Sequence, residues 1–252
     1  MARTTGYTTV ITSGKGGVGK STVSAGLGCA LAERGQKVLI LDGDAGLRSL
    51  DMITGVAGET VFDLSDIFDG NCAPIQAIYS SPVYPGVSLI PAPVQLQNLC
   101  TPNDLRRLCK GFARYFDHVI VDCPAGVGEG FETAVAAADR ALIVTTPDMV
   151  CARDGGIVGD LLRKKGVSAR LIINRLRATP ILNGLTPDVD DIIDTVGVRL
   201  LGILPEDEKV AVASANGNPL PRNSVATEGF RNIAARLLGE QPPLLPLEKM
   251  AP

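Results

Sequence analysis

The stretch Ser13–Thr22 reads SGKGGVGKST. Gly14, Gly19, Lys20 and Ser21 fit the phosphate-loop pattern G-x-x-x-x-G-K-[ST]. Gly14, Gly16, Gly17 and Gly19 let the backbone curl without Cβ clashes and turn its N–H groups inward. The helix that should follow aims the positive end of its dipole at a bound phosphate. In this pattern Lys20 reaches the β- and γ-phosphates and the Ser21 hydroxyl ligates Mg²⁺. Val18 and Thr22 complete the candidate nucleotide-binding stretch. The pattern needs one lysine, and Lys15 is a second.

The flanking sequence supports the motif. YTTVITS (residues 7–13) reads as a strand before the loop, and a helix is expected from about Lys20 to Arg34, closed by Gly35. Further strands are expected at KVLILD (37–42), VSLIPA (87–92), HVIVD (118–122), RALIVTT (140–146), ARLIIN (169–174) and VRLLGIL (198–204). Helical stretches such as EGFETAVAAA and DGGIVGDLLRKKG lie between them, and Asn103 or Asp104 is placed to cap a helix running to about Phe116. The strands are continuously apolar, so both sheet faces should be covered. The expected fold is α/β: a Rossmann-like P-loop NTPase with a mostly parallel sheet and helices on both faces. No repeat or linker divides the chain, so residues 1–240 are read as one P-loop domain. VFDLSDIFDG is expected as a short helix and YSSPVYPG as a turn-rich loop.

Composition limits the alternatives. Of 252 residues, 45% are hydrophobic and 20% charged, with a net charge of −3, which suits a globular protein without a broad basic face for nucleic acid. No apolar run approaches the roughly 20 residues a spanning helix needs, and the N-terminus has no secretory apolar region. The six cysteines include no C-x-x-C pair, and His118 is the one histidine, so a zinc site is not expected. The thiols, Cys123 among them, are read as reduced and mostly buried, and His118 as an ordinary structural residue. The expected compartment is cytoplasmic.

Carboxylates mark the rest of the site. Asp122 ends an apolar strand, at the edge where open α/β sheets bind ligands. There it can hold Mg²⁺ through water. Asp42 and Asp44 end another strand, and one of them can orient an attacking water or join the metal shell.

KGGVGKST, LDGDAGLRSLD, VIVDCPAG, TTPDMVCARD, INRLR and LLGILPEDEKVAVASANGNP, in this order, resemble the MinD/ParA group of deviant Walker-A ATPases, and its MinD branch in particular. The resemblance spans about Thr8–Glu240. It implies an ATP- and Mg²⁺-dependent homodimer that regulates septum placement through a MinC-like inhibitor and a MinE-like activator. Lys15 resembles the signature lysine that crosses to the other subunit's phosphates. Asp44 resembles the aspartate that positions the hydrolytic water, with Asp42 in the metal and catalytic shell. Asn174 resembles the adenine-binding residue, Pro205 and Asp207 flank the base, and Arg153 and Asp154 match a region near the partner-binding face. Independently, Asn174–Arg177 lacks the aspartate that N-K-x-D GTPases use for guanine, which favours ATP. A ParA-type positioning ATPase is the alternative reading, and an iron–sulfur carrier ATPase a weaker one.

One feature departs from the family. Members usually end in a basic amphipathic helix that enters the membrane surface. Residues 241–252 instead contain Pro242, Pro243, Pro246 and Pro252, with Lys249 the one side-chain cation. This tail is expected to be disordered and to lack helix-driven vesicle binding. Attachment to the inner face of the membrane would then need a partner.

Overall fold

The computed structural model describes residues 5–44, 48–93 and 100–246. β1 (Tyr7–Thr12) leads into the glycine loop and α1 (Lys20–Ala32) leaves it. After β2 (Val38–Asp42) come two short helices, α2 (Ser49–Ile53) and α3 (Leu64–Phe68). A two-residue strand, β3 (Tyr79–Ser80), precedes β4 (Val87–Ile90). Strand and helix then alternate through α4 (Pro102–Phe112), β5 (His118–Asp122), α5 (Glu129–Ala137), β6 (Arg140–Thr145), α6 (Met149–Lys164) and β7 (Ser168–Leu176). The last part holds α7 (Ala178–Leu182), α8 (Val189–Val196), β8 (Leu200–Pro205), α9 (Glu208–Ala215) and α10 (Val225–Leu237).

Among the described residues the strands form one eight-stranded sheet in the order β3-β4-β2-β5-β1-β6-β7-β8. All pairings are parallel except β3 with β4. All seven expected strands are present. β3 is the addition, inside the stretch expected as a loop, because two residues are too few to show a period.

Successive side chains on a strand point to opposite faces. Ile11, Ile40, Ile120 and Leu142 pack with Val23 and Leu27 of α1 and with Phe230 and Ile233 of α10. Val10, Leu39, Val119 and Val121 pack with Leu105 of α4, Phe131 of α5 and Val158 of α6. Burial on both faces explains the continuous apolar runs. A Cβ on Gly26 would lie 2.5 Å from the Phe230 ring, so α1 and α10 meet at closest approach there.

Two helix starts differ from expectation. α4 begins at Pro102, ahead of the expected cap at Asn103 or Asp104, and ends at Phe112. Thr101 is its cap, and Asp104 closes a capping box with it. α6 begins at Met149 because Asp148 caps it, accepting from Cys151 N at 2.9 Å.

The start of the tail also differs. Leu245 is 6% exposed, packed with Ile203, Leu176 and Ala178. Arg236 Nη2 donates to Pro242 O at 2.8 Å and Nη1 to Leu201 O at 2.9 Å, which also satisfies a carbonyl of edge strand β8. Residues 241–246 therefore lie along α10, correcting the expectation of disorder for them. Residues 247–252 lie outside the described residues.

His118 is buried, and its Nδ1 faces Arg140 Nη2 at 3.4 Å. Since guanidinium only donates, Nδ1 is the acceptor and the ring is neutral. Burial, and then the charge of Arg140, push His118 down to about 4.

Leu245→Ala is expected to lower stability by about 2 kcal/mol in urea denaturation, where an undocked tail predicts no change. For His118 the folded state holds the proton less tightly than the unfolded chain, whose imidazole titrates near 6.5. Its stabilising contribution is complete above that pH and is lost as pH falls toward about 4. His118→Gln should flatten this part of the curve of urea midpoint against pH; an acid limb identical to wild type would refute the assignment.

Candidate nucleotide site

α1 begins without a cap of its own. Gly19 stands at its N-cap with φ 93°, no side chain bonds to the first turn, and no acidic residue lies in it. The first amides of a helix have no intrahelical partner, so those of α1 are left for an outside anion. Gly17 has φ 80°, which also needs glycine. Gly14 is required for packing, since a Cβ there would lie 2.5 Å from the Asp154 backbone on α6. Gly16 is exposed and meets no such limit.

Below the loop, α1 is fastened to β5. Asp122 is 0% exposed. Its Oδ2 accepts from Ser21 Oγ at 2.6 Å and its Oδ1 from Ser24 Oγ at 2.9 Å. Parallel pairing of β2 with β5 sets Asp42 directly beside Asp122. Asp42 is also buried, and its Oδ1 accepts from Asp44 N at 3.1 Å. Burial, and then the charge of Asp122, push Asp42 well above the usual carboxylate range. Burial raises Asp122 as well, against the lowering effect of the two serine hydroxyls and of the Lys20 ammonium. Two adjacent buried carboxylates form a site that a cation would relieve.

The donor set fits Mg²⁺. Ser21 directs its proton to Asp122, which leaves hydroxyl lone pairs for a cation. All these donors are hard oxygens, as Mg²⁺ prefers. Burial pushes the neighbouring Cys123 thiol up to about 12, so no thiolate competes. Among the described residues no three His, Cys, Asp or Glu side chains gather as a metal cage. Mg²⁺ usually completes its octahedron with water and substrate phosphates.

The structure groups Lys20, Ser21, Asp42, Asp44 and Asp122 at one sheet edge. Lys20 is 6% exposed, whereas Lys15 is exposed on the rim and takes no part in the buried cluster. Val18 is buried and Thr22 half-buried at the start of α1. Asn174 joins from β7, with its Nδ2 donating to Val18 O at 2.8 Å. A bulge follows it, with Arg175 at φ 57°. Pro205 and Asp207 lie farther out, at the end of β8 and the cap of α9. The Asp207 carboxylate accepts from Lys209 N at 3.0 Å and from Ala226 N at 3.1 Å, joining α9 to the start of α10. Arg153 is exposed on α6, and Asp154 backs Gly14.

Two contributors escape a motif reading. Gly43 N donates to Asp122 O at 2.9 Å, and a Cβ on Gly43 would come within 2.8 Å of that oxygen. Ser24 has only one sequence signal, its i,i+3 spacing from Ser21 on a helix.

The family model described as the CobQ/CobB/MinD/ParA nucleotide binding domain matches residues 9–220. The septum site-determining protein MinD of Bacillus subtilis (strain 168) is 39% identical over 251 residues, covering 97% of this chain and 93% of that protein. Among solved structures, the Aquifex aeolicus MinC:MinD cell division protein complex matches with a TM-score of 0.86 at 34% identity, covering 95% of this chain and 98% of that one. MinD of Pyrococcus horikoshii OT3, solved with Mg-ADP, matches with a TM-score of 0.82 at 30% identity, covering 92% of this chain and 95% of that one. With its glycine loop, parallel sheet and paired carboxylates, this chain belongs to the CobQ/CobB/MinD/ParA nucleotide-binding family, on the MinD branch, whose members are ATPases.

Proposed function

We propose that this chain is an ATP-hydrolysing, magnesium-dependent dimerisation switch of the MinD type, acting in placement of the division septum. The observation that carries it is the different fate of two lysines in one loop. Lys20 is buried and its charge acts on Asp122, whereas Lys15 stands exposed on the rim. A lysine that its own loop does not need has a use when a second copy faces it.

In this reading the amides of Gly14–Gly19 and α1, with Lys20 and Thr22, hold the phosphates. Ser21, Asp122 and Asp42 would hold Mg²⁺ through their oxygens. Bound Mg²⁺ would neutralise charge developing on the β- and γ-phosphoryl oxygens. Asp44 orients the attacking water, and Lys15 reaches the nucleotide held by the partner copy. Asn174, Pro205 and the Asp207 region flank adenine. Hydrolysis is slow until the second copy and a partner order the loops. The Pyrococcus relative was solved with Mg-ADP and the Aquifex relative as a MinC:MinD complex. A magnesium nucleotide and a MinC-like partner are proposed here by extension, and a MinE-like activator by family resemblance. Residues 1–240 would act as one ATPase unit.

Size-exclusion chromatography with light scattering, in ATP and in ADP, tests the switch. Wild type should dimerise in ATP only. Asp44→Ala should give dimers that persist, and Lys15→Ala should remain monomeric. Identical behaviour of all three defeats the proposal.

Among the described residues no helix is long and apolar enough to cross a membrane. We place the switch in the cytoplasm, with a peripheral position on the inner face of the cell membrane as the alternative. The purified chain with ATP should not co-float with anionic liposomes, because residues 241–246 lie against α10 instead of forming a basic amphipathic helix. Robust co-flotation overturns this part.

A further inference from the structure

The backbone of Asp122 has little freedom. β5 is paired on both sides, with β1 and with β2, and Gly43 N caps the Asp122 carbonyl at 2.9 Å. What is left is rotation of the side chain, and the terminal torsion of aspartate has a broad profile. One bond from Ser21 would allow the carboxylate to swing about that contact. The bond from Ser24 to the opposite oxygen removes the swing. Ser24, like Asp122, is 0% exposed, so water does not compete for either group. Repulsion from Asp42 on the adjacent strand acts in the other direction, tending to turn the carboxylate out of register.

We propose that Ser24 is a positioning residue for magnesium. It locks the Asp122 carboxylate so that Oδ2 faces the cation's water shell beside the Ser21 hydroxyl that would ligate the cation. The phosphate-loop pattern accounts for Ser21 and stops there, leaving Ser24 without a role. Ser21 has two demands on it, a proton shared with Asp122 and lone pairs turned to the cation. Ser24 has one, so its hold on Asp122 does not change when the cation arrives. This inference rests on the magnesium-nucleotide reading above. The competing explanation is that a small residue is needed where α1 packs on β5, a need that alanine would meet equally well.

The test is equilibrium binding of fluorescent MANT-ADP to the full chain, in EDTA and across a Mg²⁺ titration. The variants are Ser24→Ala, Asp122→Asn and the double substitution. Ser24→Ala is expected to leave affinity in EDTA within about twofold and to raise the Mg²⁺ midpoint about tenfold, the usual effect of losing a group that orients a ligand. The double variant should be no worse than Asp122→Asn, because Ser24 acts through that carboxylate. If Ser24→Ala does not fold, Ser24→Cys, of similar size and with a weaker donor, should raise the midpoint by a smaller factor. An unchanged midpoint, an equal loss with and without Mg²⁺, or an additive double variant overturns the proposal. A wild type that binds MANT-ADP equally well without Mg²⁺ also overturns it, while leaving nucleotide binding intact. A wild type that binds no MANT-ADP defeats the nucleotide reading itself.

Discussion

The buried Asp122 carboxylate is the constraint around which the other parts of the site are arranged. A charge without exposed surface is costly unless it is hydrogen-bonded and paired. Asp122 receives two hydroxyl protons and the field of Lys20, all from the first turns of α1. Satisfying it therefore places α1, and placing α1 aims its uncapped amides at the space above the loop. Asp42, in register beside it, accepts from the backbone N–H of Asp44. A divalent cation would relieve the repulsion within this pair.

α1 also connects the two ends of the site. On its far side it packs against α10, at the contact between Gly26 and Phe230. The start of α10 is tied to Asp207, and its last turn to Leu201 through Arg236. The phosphate end and the proposed base end are thus linked by rigid helices. The first tail residues fold back along the outer face of α10, burying Leu245 and covering part of edge strand β8.

Lys15 is the loop residue that the isolated chain does not explain. It is exposed, and its charge acts on Asp148 at the cap of α6, whereas that of Lys20 acts on Asp122. Glycines at φ 80° and 93° hold the loop so that one lysine can be buried and the other presented. In the proposed switch, a single loop would serve its own nucleotide and that of a facing copy.

The sequence by itself determined the strand–loop–helix unit, because positive-φ glycines and an uncapped helix start are local demands. It determined seven of the strands, because burial on both faces leaves continuous apolar runs. It also placed Asp42, Asp44 and Asp122 at strand ends. It misplaced the start of α4, where Thr101 and Pro102 outcompete Asn103, and it took the proline-rich tail start for disorder. Only the tertiary structure decided that Asp42 adjoins Asp122, that Ser24 holds the second oxygen, that Asn174 bonds the loop at Val18, and that Leu245 is buried. Periodicity and capping act over a few residues, but the Ser24–Asp122 bond joins positions 98 apart and the Asn174–Val18 bond positions 156 apart. Such pairings follow from sheet register and helix docking, which a linear pattern does not carry.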